Sequence, residues 1–132
     1  MRHFPDAILD RKIRFALLGC GRIAQNHFSA IAQHADDAEL VGVCDIDARA
    51  LDAAAALTGA KPYASLRDML ADASADVFVL TTPSGLHAQE TIEIAAASRH
   101  VMTEKPMATR WQDGLRMVKA CDDANVRLFV VK

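Results

Sequence analysis

The sequence predicts a doubly wound α/β fold, a mostly parallel sheet of about six strands with helices on both faces. Short apolar runs without polar alternation recur along it, the pattern of strands buried on both faces. Helical segments separate these runs, as parallel crossovers require. No low-complexity linker interrupts the alternation.

Each element has a local reason. Ile13 to Leu18 is a continuous apolar run and reads as the first strand. "RIAQNHFSAIAQH" reads as a helix with Ile23, Phe28, Ile31 and Ala32 on its apolar face, and "ELVGVCD", Glu39 to Asp45, as the second strand. The Ala-rich "ARALDAAAALTGA" is a helix stopped at Gly59, followed by a short strand near Tyr63. "SLRDMLADA" is a short helix capped by Ser65, and "ADVFVLTTP", Ala75 to Pro83, a buried strand. "GLHAQETIEIAAASR" is a helix, "HVMTEKP" a strand ending at proline, "TRWQDGLRMVKACDDANV" a helix capped by Thr109, and "RLFVV" the last strand. Right-handed crossovers between such strands give two comparable βαβ halves.

Composition narrows the function classes. A chain of 132 residues holds one core of ordinary size, and the whole of 1–132 reads as one dinucleotide-binding unit. With 52% hydrophobic residues and a formal net charge of −2, the electrostatic case for a nucleic-acid or membrane partner disappears. Cys20, Cys44 and Cys121 lie far apart with no paired spacing, so no metal is expected. "MRHFPDAILDRK" carries charges and no apolar core of a signal peptide, and the expected location is the cytoplasm.

The stretch with the most chemistry is Gly19-Cys20-Gly21-Arg22-Ile23-Ala24. It begins where a buried strand ends and opens a helix, so Gly19 makes the tight turn and Gly21 lets backbone approach a pyrophosphate. Ala24 keeps the helix close to the strand. The helix start offers unpaired N–H groups and a partial positive charge, and Arg22 can add a phosphate contact. Asp45, at the tip of the second strand, stands where an acid receives the adenosine ribose hydroxyls. No basic residue follows at Ile46 or Asp47, which favours NAD over NADP; Arg49 is the residue that softens this preference. The competing reading is a tight turn with no ligand.

Two further motifs fall at the same strand ends. "TTPSGLHAQ", Thr81 to Gln89, follows the fourth strand, and "TEKPMA", Thr103 to Ala108, the fifth. Ligands of open parallel sheets bind at that edge. With these motifs in place the sequence resembles the glucose-fructose oxidoreductase, inositol dehydrogenase and MocA family of NAD(P)-dependent sugar dehydrogenases, from Ile13 onward. The resemblance rests on "GCGRIA", Asp45, Thr82-Pro83 with His87, and Glu104-Lys105-Pro106, of which the last is the most specific. Within the family the wording is most similar to the 3-dehydrogenases of UDP-N-acetylglucosaminuronic acid used in building bacterial surface polysaccharide.

The resemblance implies an NAD-binding Rossmann domain and roles for single residues. Lys105 is the implied catalytic residue, its cation stabilising the alkoxide that forms as hydride leaves carbon. Glu104 would contact the nicotinamide ribose or orient Lys105, and Pro106 would follow a cis bond. Thr81, Thr82 and Pro83 would pass under the nicotinamide half, with His87 near the start of the next helix. The full set expected around the cofactor is Gly19, Gly21, Arg22, Ile23, Asp45, Ile46, Thr81, Thr82, Pro83, Leu86, His87, Glu104, Lys105 and Pro106.

Bland readings stand beside these. His87 can be a capping or surface histidine, and Lys105 a surface lysine before a turn. Cys20 reads as a small filler, Trp111 and Phe129 as core or interface, and His3, His34 and His100 offer no ligand geometry. The aspartate pairs at Asp36 and Asp122 read as solvated helix ends. The resemblance further implies a second, mainly β domain that holds a small sugar or UDP-sugar substrate, and a homo-oligomeric full-length enzyme. The chain is thus expected to be the N-terminal part of a longer dehydrogenase, inactive by itself. The alternatives are a stand-alone NAD(H)-binding module and a dehydrogenase of another sugar or inositol.

Overall fold

A computed structural model describes residues 5–132. His3, among the residues given no role above, lies outside the described residues. Strands β1 (Ile13–Leu18), β2 (Ala38–Cys44), β3 (Lys61–Tyr63), β4 (Val77–Leu80), β5 (His100–Thr103) and β6 (Leu128–Val130) alternate with helices α1 (Ala24–Gln33), α2 (Ala48–Thr58), α3 (Leu66–Asp72), α4 (His87–Ala96) and α5 (Trp111–Asp123). A single 3₁₀ turn, Ser84–Leu86, leads into α4. The strands form one sheet in the order β3-β2-β1-β4-β5-β6, and every neighbouring pair is parallel. The order reverses between β1 and β4, the place where a doubly wound sheet opens a crevice.

Side-chain alternation assigns the two layers. Leu17, Val43 and Val79 face α1 and α2 with Phe28, Leu51 and Ala54. Ala16, Leu18, Phe78, Leu80 and Val101 face α3, α4 and α5 with Met69, Ile94 and Cys121. Leu17, Phe78, Leu80 and Ile94 are fully buried, each contributing about 1.5–3 kcal/mol of apolar transfer.

Local signals explain most element ends. Gly59 closes α2 in the left-handed region at φ 74°. The Ser65 hydroxyl caps α3 by accepting from the Asp68 N–H. Two details differ from expectation. The cap of α5 is Arg110, whose backbone is extended and whose side chain makes no cap bond; Thr109 stands one residue too early to reach the orphan N–H groups. The buried side of α1 is built on Ala24 and Phe28, while Ile23 precedes the helix and is 40% exposed.

Trp111 and Phe129 do not join the core. Trp111 is 79% exposed because α5 buries Met117 and Cys121, and a residue six positions before Met117 points away from that face. Phe129 lies half-exposed on the edge strand β6. Among the described residues no helix is long and apolar enough to cross a membrane, and no group of three metal-ligating side chains occurs.

Candidate cofactor site

Strand register sets the site. Leu18 pairs with Cys44 on one side and Leu80 on the other, and Leu80 pairs with Thr103. The next residue of each strand is therefore in one row: Asp45, Gly19, Thr81, Glu104. With strands about 4.8 Å apart, that row spans about 14 Å along the carboxyl edge of the sheet.

Gly19 closes the first turn at φ +95°, and a Cβ there would stand 2.8 Å from Thr81 C, Thr81 O and Thr82 N. Both the conformation and the close approach of two backbones require glycine. The Thr81 hydroxyl faces the carbonyl oxygens of Leu18 and Gly19 at 3.1 and 2.5 Å, binding the end of β4 to the glycine loop. Gly21 is different. Nothing lies within 4 Å of a Cβ placed on it, so no packing inside the domain requires a glycine at that position.

The backbone around Gly21 fits a phosphate. Among the described residues the N–H groups of Gly21, Arg22, Ile23 and Ala24 have no acceptor, whereas Cys20 N–H donates to Asp45 Oδ2 at 2.7 Å. Four orphan donors at the start of α1, beside an open space and the exposed Arg22, match an anionic diphosphate. Asp45 shapes this loop from across the sheet: Oδ1 accepts from Asp47 N–H at 2.8 Å while Oδ2 holds Cys20. A carboxylate has about four lone-pair sites, so Asp45 retains capacity for ribose hydroxyls. Ile46, beside it, is 98% exposed.

Cys20 is the small filler expected. It is buried, its Sγ–H donates to Cys44 O, and burial pushes its thiol up to about 11 and that of Cys44 to about 12. A thiol so reluctant to ionise is not a nucleophile.

The other half of the row carries the polar side chains. Lys105 and Pro106 are exposed and joined by a cis peptide bond, as the resemblance implies. Among the described residues Lys105 has no ion-pair partner. Its backbone N–H donates to Glu104 Oε2 at 3.2 Å. His87 closes the Ser84–Leu86 turn through its backbone and is not a surface residue: at 1% exposure, its Nε2 faces Thr82 O at 2.9 Å and its Nδ1 Pro106 O at 3.1 Å. It thereby holds the β4 and β5 loops together. Leu86, on the turn before it, is half-exposed, and Pro83 exposed.

Two residues here escaped sequence reasoning. His27 donates from Nε2 to Glu104 Oε1 at 2.7 Å, and its only sequence signal is a place three residues after Ala24 on the helix that leaves the glycine loop. Glu90 accepts from the Thr82 hydroxyl, and burial raises its carboxyl above the ordinary range against the opposing effect of that bond.

Comparison with known proteins decides the family. The model of an oxidoreductase family with an NAD-binding Rossmann fold matches residues 13–132. The chain belongs to the GFO/IDH/MocA oxidoreductase family. Its Rossmann domain is superimposable on that of the WlbA dehydrogenase from Bordetella pertussis, solved with NADH and UDP-GlcNAcA, at 66% identity and a TM-score of 0.94 over 95% of this chain. The WlbA dehydrogenase from Chromobacterium violaceum, also solved with NADH and UDP-GlcNAcA, gives 66% identity and a TM-score of 0.93 over 94%. Inositol 2-dehydrogenase 3 of Saccharopolyspora erythraea is 33% identical over 90% of this chain. The chain spans 36% of each WlbA chain and 35% of the inositol dehydrogenase, about a third of the relatives it matches.

Proposed function

We propose that this chain is the cofactor-binding part of an NAD-dependent dehydrogenase that oxidises the C3 hydroxyl of UDP-N-acetylglucosaminuronic acid, a step toward bacterial surface polysaccharide. The observation that carries the substrate reading is the 66% identity to two dehydrogenases solved with NADH and UDP-GlcNAcA, against 33% to an inositol dehydrogenase. The inositol relatives support a second reading, a polyol or other sugar substrate. Residues 13–132 serve as the nucleotide half, and the sugar is held by a further domain of the longer enzyme.

The residues divide the work. The orphan N–H groups from Gly21 to Ala24 and the Arg22 guanidinium bind the pyrophosphate. Asp45 accepts from the adenosine ribose and repels a 2′-phosphate, which selects NAD, while exposed Ile46 covers the adenine side. Thr81, Thr82 and Pro83 form the floor under the nicotinamide half, Leu86 gives it an apolar flank, and His87 keeps that floor joined to Pro106. NAD, when bound, is the hydride acceptor. The hydroxyl proton passes to a base of the further domain, while Lys105 Nζ donates a hydrogen bond to the reacting oxygen and holds a positive charge against the negative charge that develops there. Glu104 orients Lys105 through its backbone N–H.

Titration of the chain with NADH and NADPH tests the cofactor reading: NADH is expected to bind more tightly, and absence of NADH binding refutes it. The full-length enzyme, offered UDP-N-acetylglucosaminuronic acid and myo-inositol in parallel, tests the substrate. Turnover of the UDP-sugar that is abolished by Lys105→Met, with NADH affinity kept, supports the first reading. Turnover of inositol alone transfers support to the second.

A further inference from the structure

His27 is a polar residue at this edge with no place in the scheme above. It sits on α1, the helix whose start faces the pyrophosphate, yet its partner Glu104 lies at the end of β5. The two strands concerned are not neighbours: β4 stands between β1 and β5 in the sheet. The contact therefore reaches across the end of β4. Both are largely sequestered, at 14% and 12% side-chain exposure, and their separation is 2.7 Å.

Chemistry specifies the roles within the contact. A carboxylate only accepts, so the ring nitrogen facing it carries the hydrogen. Glu104 then has one oxygen fixed by His27, the other on the Lys105 N–H, and its own N–H bonded to Leu80 O at 3.0 Å. Without His27 the side chain is free to turn about its torsions, and the 3.2 Å contact to Lys105, the longer of the two, is the one lost. On the other side His87 stands against Pro106 O. Residues Glu104 to Pro106 are thus held from both ends by histidines on different helices.

We propose that His27 is a positioning residue: through Glu104 it fixes the Lys105 backbone relative to the phosphate-binding start of α1, so that cofactor binding and placement of the lysine are linked. The geometry is independent of the dehydrogenase reading, on which only the consequence for catalysis rests.

The test uses this chain labelled with ¹⁵N. His27→Ala is expected to displace the Lys105 amide resonance, raise its exchange with solvent about tenfold, and weaken NADH about three- to tenfold. His27→Gln is expected to restore all three, since its amide nitrogen donates where the ring did. His34→Ala, an exposed histidine at the end of the same helix, is expected to change none. If His27→Ala does not fold, His27→Phe, which keeps a ring and removes the donor, reports on the same amide, which is expected to lose its protection. A Lys105 amide unchanged in His27→Ala or in His27→Phe overturns the proposal, as does a folded His27→Gln that behaves like the alanine variant. A native chain that fails to bind NADH refutes the cofactor reading, and the amide measurement still decides this one.

Discussion

The two glycines of the Gly19–Ala24 loop are expected to separate folding from binding, and replacing each with alanine tests which it serves. At Gly19 the backbone is at φ +95°, and the new Cβ meets three backbone atoms of Thr81 and Thr82 at 2.8 Å. Strained backbone costs about 1–3 kcal/mol. Overpacking against atoms that cannot rotate away costs about 1–3 kcal/mol more. Gly19→Ala is therefore expected to lose several kcal/mol of the roughly 5–15 kcal/mol typical of a domain, lowering the urea midpoint by about 2 M. At Gly21 the Cβ meets nothing within 4 Å, and φ lies outside the left-handed region. Gly21→Ala is expected to leave the midpoint unchanged or raise stability by up to about 1 kcal/mol. Its methyl group stands instead in the space beside the orphan N–H groups, and NADH affinity is expected to fall about ten- to a hundredfold. Urea unfolding followed by circular dichroism, with NADH titration of the folded proteins, measures both. A Gly19→Ala as stable as the native chain, or a Gly21→Ala that binds NADH normally, refutes the reasoning.

Other perturbations have defined outcomes. Asp45→Asn removes the charge proposed to face the ribose and is expected to reduce the preference for NADH over NADPH about tenfold, read as the ratio of the two dissociation constants. Glu90 has a carboxyl raised by burial, so its folded form holds the proton more tightly than the unfolded chain. Stability it contributes below the unfolded value, about 4.3, is lost as pH rises through the folded value. Glu90→Gln is then expected to be more stable than the native chain at pH 7 and to flatten the fall in urea midpoint between pH 4 and pH 7; parallel curves would show the carboxyl to be unperturbed. Thr91 Oγ1 is buried without a partner among the described residues, and Thr91→Val, which removes it at equal shape, is expected to stabilise by about 1 kcal/mol in the same assay.

Local pattern determined the layout of this protein. Apolar runs of strand length, helices between them, and start and stop signals such as Ser65 and Gly59 are read within a few residues of one another, and they placed every strand and helix. The same locality made "GCGRIA" and Asp45 legible, because a glycine loop at a strand end and an acid at the next strand end are features of the chain alone. It misplaced the cap of α5 by one residue and left Trp111 between core and interface, of which the structure excludes the core, because a helix face is defined by where its neighbours lie. Tertiary structure decided what touches what across the row of strand ends. Parallel register brought Glu104 within reach of His27, 77 residues earlier, and set His87 between Thr82 and Pro106. The His27–Glu104 contact spans 77 residues and the His87–Pro106 contact 19, and no spacing along the chain encodes either. The physical reason is that hydrogen-bond partners of buried polar groups are chosen by whichever segments the packed sheet makes adjacent, after the apolar pattern has chosen the sheet.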